Sequence, residues 1–252
     1  MKVLVLGSTG NLGSRVLSAL LAREHSVVAF LRDPSKLPPS IVPKLTAVER
    51  GDAKKASDIK VAASKHQCDA IVNTAGLAAM APWGKSDLPT IVDAVIAAAL
   101  EIGQERQSPL RVWFLGGLGL LDQPQTKYLL VDYVRMFPEH RSTWAKLKAL
   151  PPSSMEWSIL CPSMMTPRSK DSYPLASGSS SKNIVVSAGA PPQWSPRFFS
   201  MPLVGGWLNV ISQIGAFNTT LEDNADFIAQ DLSDGNNSEW IYQRVGTRTK
   251  TE

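Results

Sequence analysis

Three glycines stand in the run Gly7-Ser8-Thr9-Gly10-Asn11-Leu12-Gly13, where a short apolar stretch gives way to a helical pattern. Each has a distinct use at that spacing. The first permits a tight turn, the second lets backbone approach a pyrophosphate, and the third lets helix and strand pack closely. The N–H groups opening the helix lack intrahelical acceptors. They face the anion, aided by the helix dipole. The run predicts a dinucleotide site.

Other residues fit the same ligand. The second apolar stretch ends in Arg32-Asp33-Pro34-Ser35-Lys36. An acid at this strand end usually bonds a ribose 2′-hydroxyl, as in NAD sites. Arg32, with Lys36 nearby, would instead meet the 2′-phosphate of NADP, so NADP(H) is the expected cofactor. Asp33 can cap a turn starting at Pro34. In Arg50-Gly51-Asp52-Ala53, Asp52 either accepts from the adenine amino group or caps the next helix. Asn73-Thr74-Ala75-Gly76 would lay its backbone along the adenosine ribose.

The elements that must hold these residues alternate. Apolar runs at 3–6, 27–31, 47–49, 70–72, 112–115, 157–160, 184–186 and 240–245 predict strands. Leu12, Val16, Leu17, Leu20 and Leu21 recur at helix spacing, and segments 53–65, 86–105, 139–150 and 225–232 read as further helices. Pro138 can open the helix over 139–150, which Pro151-Pro152 ends. Segment 202–217 reads as an amphipathic helix broken by Gly205-Gly206. The serine-rich stretch Ser177-Gly178-Ser179-Ser180-Ser181 reads as a mobile loop. Strands alternating with helices predict an α/β fold, a parallel sheet covered on both faces. The chain reads as a single domain over 1–252, with 162–220 a substrate-side insertion over the C-terminal edge of the sheet.

These motifs together resemble the short-chain dehydrogenase/reductase superfamily. The resemblance is nearest to its atypical, NmrA-like members, the NAD(P)H-binding group that includes flavin reductases of the biliverdin reductase B type. It is carried by GSTGNLG, VVAFLRDPSK, GDA and NTAG. It covers residues 1 to about 165, and resumes weakly in ADFIAQDL and YQRVG. It implies a doubly wound parallel-sheet Rossmann fold with a smaller C-terminal extension on the substrate side.

Ordinary superfamily members use a Ser and a Tyr-x-x-x-Lys pair. Here the residues four positions after Tyr128, Tyr133, Tyr173 and Tyr242 are Asp132, Phe137, Ser177 and Gly246. Phe114-Leu115-Gly116-Gly117-Leu118-Gly119 occupies the place of the serine. By the resemblance, His140 would face the active site, with Trp144 one turn on and Lys148 reaching the ribose. Gly116 and Gly117, and then Cys161, Pro162 and Met164, would run past the nicotinamide. His140 is the one candidate whose ordinary pKa suits proton exchange near neutrality. Trp83, Trp194 and Trp207 could wall a flat apolar pocket for an aromatic or polycyclic small molecule.

Composition excludes several classes. Charges of 26 and 22 leave a net +4 over 252 residues, with no Lys/Arg-rich run, so nucleic-acid binding is not expected. No stretch approaches a membrane span, and the apolar start is too short for a signal core, so a cytoplasmic protein is expected. Cys68 and Cys161 read as reduced thiols. His25, His66 and His140 are scattered, so no metal site is expected. Sequons at Asn218 and Asn236 read as chance. A homodimer is compatible with the resemblance, but helix faces used for assembly look like any others.

Three functions follow. The first is an NADPH-dependent reductase of a conjugated quinone, enone or flavin. The second is a non-redox cyclase, isomerase or dehydratase. The third is an NmrA-like NADP-sensing regulatory protein.

Overall fold

The computed structural model describes residues 1–77, 86–134, 137, 139–174 and 180–250. Strands β1 (Lys2–Leu6), β2 (Ser26–Leu31), β3 (Ala47–Arg50), β4 (Ala70–Asn73), β5 (Arg111–Leu115) and β6 (Glu156–Cys161) are each followed along the chain by helical or loop segments. The helices are α1 (Asn11–Ala22), α2 (Ala56–Lys65), α3 (Leu88–Arg106) and α4 (Glu139–Lys148). Beyond β6 come β7 (Met165–Thr166), β8 (Ile184–Ala188), α5 (Gly205–Ile211), β9 (Thr219–Thr220), α6 (Leu221–Asp234) and β10 (Gln243–Thr249).

The main sheet runs β3-β2-β1-β4-β5-β6-β10-β8. Every pairing is parallel except that of β8 with β10. Strand order reverses between β1 and β4, so their C-terminal ends open a crevice at the switch point. This is the doubly wound Rossmann arrangement. Alternation along β1 sorts the two cores. Val3 and Val5 face one layer with α1 and α6, and Leu4 and Leu6 face the other with α2 and α3.

Some expectations shift. The antiparallel edge strand β8 departs from a wholly parallel sheet. It pairs with the outer side of β10 at the sheet edge, and the chain between the two strands passes through α5, β9 and α6. β10 starts three residues later than the apolar run implies, because Tyr242 takes φ 64° and interrupts extension. Gly205-Gly206 opens α5 rather than breaking a helix. A side chain at Gly205 would strike the Phe198 carbonyl, and one at Gly206 the Tyr133 ring. The short pair β7–β9 had no sequence signal. It ties the exit of β6 to the entry of α6. Pro138 and Ser177–Ser179 of the serine-rich stretch lie outside the described residues. Ser180–Asn183 forms a short 3-10 turn.

No helix among the described residues is long and apolar enough to cross a membrane. Among the same residues no cluster of metal-ligating side chains forms.

The end of the sheet opposite the crevice holds a buried ion pair. Arg111, at the start of β5, meets Asp231 of α6 at 2.8 Å, both side chains nearly fully buried. The Trp113 indole N–H donates to the same carboxylate oxygen at 2.8 Å, and the Arg111 guanidinium also donates to Ser158. Removing one partner strands the other as an uncompensated buried charge. Asp231→Ala is therefore expected to cost about 3–5 kcal/mol in urea unfolding. Its dinucleotide affinity, measured under native conditions, should stay at the wild-type value.

Candidate active site

The glycine turn is fixed by contact between backbones. Gly7 has φ +79°, and a Cβ there would lie 2.7 Å from the Ala75 nitrogen. A Cβ on Gly13 would lie 2.1 Å from the Gly7 carbonyl oxygen and 2.5 Å from Thr74 Oγ1. The Thr74 hydroxyl donates to the Leu6 carbonyl at 2.6 Å, which joins β4 to β1 beneath the turn.

Above this joint lies a cleft of about 1140 Å³. Gly7, Thr9, Gly10, Arg32, Asp52, Ala53, Thr74, Ala75 and Gly76, all from the predicted motifs, line it. Arg32 is exposed and forms no ion pair among the described residues. Asp33 faces its own turn: Oδ1 accepts from the Ser35 N–H at 3.2 Å and the Ser35 hydroxyl at 2.6 Å. Those two bonds hold the Asp33 carboxyl below its usual pKa. Asp52 accepts from the Lys54 N–H, so one carboxylate oxygen serves its own turn.

Other predicted cofactor residues support the cleft without lining it. Ser8, Leu12, Gly13 and Asn73 are buried. Asn73 Oδ1 accepts from the Ala75 N–H and shapes the next turn. Asn11 starts α1. Lys36 is a correction, because it ends an exposed 3-10 turn and does not line the cleft. Phe30, Lys54 and Ile91 line the cleft without having carried any sequence signal.

A second cavity of about 610 Å³ adjoins the first, and Leu77 belongs to the walls of both. Gly116, Gly117, Pro162, Met164 and His140 all line it. The rest of its wall is mostly aliphatic, including Leu118, Leu130, Val131, Val210 and Ile214. Such residues look like any core residue in sequence, so they were not foreseen. Gly117 makes room for the histidine: a Cβ there would sit 3.3 Å from His140 Cδ2. Nδ1 of His140 is buried without a hydrogen-bond partner, and Phe137 packs 6.2 Å from the ring. Burial lowers the His140 pKa, only partly opposed by the Glu139 charge. The imidazole is therefore neutral at neutral pH.

Several expected site residues stand elsewhere. Trp144 does not line the cavity. Its ring carries the Arg244 guanidinium at 4.1 Å, and Arg244 in turn binds the Leu120 carbonyl and Asp122. Trp144 thus braces the cavity wall from behind. Lys148 is exposed, 5.3 Å over the same ring and away from both cavities. The spacing along α4 was right, but the helix turns its later residues toward β10. Cys161 is fully buried under Gly116, and burial pushes its thiol up to about 12. It packs in the core and lines neither cavity. Trp194 stacks 5.7 Å from Phe217, and Trp207 is exposed outside the cavity. Trp83 lies outside the described residues.

A family profile for NAD(P)H-binding proteins matches residues 7–188, more than half of the chain. The chain belongs to the NAD(P)H-binding family. A search of curated proteins found no match. Solved structures share the fold. A Rossmann-fold NAD(P)-binding family protein from Shigella flexneri is 16% identical, with TM-score 0.61 over 98% of this chain and 93% of the other. A candidate NADH-flavin reductase from Streptococcus pneumoniae is 15% identical, with TM-score 0.62 over 99% and 100%. A short-chain dehydrogenase/reductase of the wide type from Veillonella parvula, solved with NADP, is 11% identical, with TM-score 0.63 over 98% and 94%. At such identity the likeness establishes the fold.

Two outcomes are expected. Gly13→Ala should lose NAD(P)H binding in a calorimetric titration and fall in stability by about 1–3 kcal/mol, as overpacked sites do. Followed by NMR, His140 should titrate below the ordinary 6.5. Its folded pKa lies under its unfolded one, so it costs no stability above 6.5 and destabilises the fold as pH drops below it.

Proposed function

We propose that this protein is an NADPH-dependent reductase of a conjugated, planar small molecule such as a quinone, enone or flavin. The observation that carries the reading is the junction of the two cavities. A cleft built on the glycine turn adjoins, at Leu77, an apolar chamber with His140 in its wall.

The residues present fit a dinucleotide. The turn has glycine where a side chain would clash, and the free guanidinium of Arg32 suits a 2′-phosphate. The carboxylate of Asp33, which would suit a 2′-hydroxyl, is engaged by Ser35. These facts favour NADP over NAD. When bound, the nicotinamide would supply hydride. Gly7, Thr9 and Gly10 would hold the pyrophosphate. Thr74 to Gly76 would run beside the adenosine ribose, and the chamber wall would exclude water from the acceptor.

A conjugated acceptor spreads the charge left by hydride over its π system. It therefore tolerates the missing Ser and Tyr-x-x-x-Lys better than an isolated ketone. His140, neutral under these conditions, is suited to hydrogen-bond the acceptor, and the proton follows from water or through the imidazole. The candidate NADH-flavin reductase from Streptococcus pneumoniae supports this class by likeness.

One observation also favours a non-redox reading. A neutral buried imidazole is a general base, as an isomerase or dehydratase needs. Turnover separates the two readings, because a reductase consumes NADPH in proportion to product and an isomerase leaves it unchanged.

The test is NADPH oxidation with a panel of quinones, enones and flavins. At least one acceptor should be reduced faster than without protein, and none so reduced would defeat the reading. Arg32→Ala should raise the KM for NADPH about tenfold, while NADH is unaffected. His140→Ala should lower kcat and leave NADPH affinity unchanged.

A further inference from the structure

The segment after β7 reaches the glycine turn. The Tyr173 hydroxyl donates to the Ser8 carbonyl oxygen at 3.1 Å. Ser8 is fully buried, and neither residue lines the cleft. Ser8 is the second residue of the turn, and Thr9, the third, faces the cleft.

The geometry of one peptide unit links the two sides. A trans peptide is planar, so the C=O of Ser8 and the N–H of Thr9 point in opposite directions. Holding the carbonyl on Tyr173 aims the Thr9 N–H away from that segment. The neighbouring Gly10 N–H is already used, on the Gly7 carbonyl at 2.8 Å. The Thr9 N–H has no acceptor among the described residues.

Tyr173 is itself held in place. Arg15, nearly fully buried on α1, donates to the carbonyls of Asn11, Ser169 and Asp171. Its Nε meets Glu222 at 2.8 Å, and Glu222 also accepts the N–H groups of Arg168 and Ser169. Burial alone would raise the Glu222 pKa, but these bonds more than offset it and hold the carboxyl ionised. Asp171 then accepts the Tyr173 N–H at 2.8 Å. One buried ion pair therefore fastens the first turn of α1, the segment 168–173 and the start of α6 together.

We infer that Tyr173 is a positioning residue of the dinucleotide site: its hydroxyl orients the Ser8–Thr9 peptide so that the Thr9 N–H is presented to the pyrophosphate. The inference rests on the reading of the cleft as a dinucleotide site and goes beyond it, because Tyr173 belongs to no glycine motif. It places a residue of the substrate-side segment in control of the anion cradle.

The test is titration of wild type and Tyr173→Phe with NADP⁺ and with adenosine 2′-phosphate, which lacks the pyrophosphate. Phenylalanine keeps the ring and removes only the donor. The dissociation constant for NADP⁺ should rise about five- to tenfold, with adenosine 2′-phosphate unchanged. The backbone amide resonance of Thr9 should move on NADP⁺ addition in the wild type and move much less in the variant. If the wild type fails to bind NADP⁺, the reading of the cleft falls and this inference with it. If both proteins bind NADP⁺ equally, the inference alone falls. Equal weakening of both ligands would assign Tyr173 a general structural role and overturn it too.

Discussion

The approach of Gly13 to the Gly7 carbonyl is the contact on which the rest of the site depends. A single methyl at position 13 would meet that oxygen at 2.1 Å. Because nothing intervenes, α1 can start directly against the end of β1, with Thr74 of β4 bridging beneath. The crevice between β1 and β4 is where strand order reverses. A ligand-sized space at that point is a consequence of topology. The glycines decide that it is narrow, backbone-lined and suited to an anion.

The molecule divides its work between the two ends of the sheet. One end carries the buried Arg111–Asp231 pair with Trp113, remote from the crevice. The other carries loops, both cavities and the unpartnered Nδ1 of His140. The carboxylate of Asp231 is met by both Arg111 and Trp113. The unpartnered His140 nitrogen sits in the wall of a chamber, where a small molecule could complete its bonding.

The chamber wall also shows what a glycine permits. Gly117 lies just after β5, and a Cβ there would sit 3.3 Å from His140 Cδ2, so the ring packs close against that backbone.

The sequence by itself determined the strands of the main sheet, most helices and most of the residues that line the larger cleft. Those features rest on local rules: apolar period, glycine spacing at a strand end, and Asp33 before Pro34 capping its own turn. His140 was legible as well, because a titratable residue near a helix start stands out. Tertiary structure alone decided which residues of α4 line the apolar cavity. Trp144 and Lys148 share the spacing of His140, yet the helix directs them to Arg244 and to solvent. It also decided that Cys161 is core, that Trp194 packs on Phe217, and that aliphatic residues far apart in the chain wall one chamber. Nor does any spacing rule place Tyr173 against Ser8, which lies 165 positions earlier in the chain. Periodicity tells a residue which face it occupies, but the neighbour that meets that face is chosen by how distant elements pack.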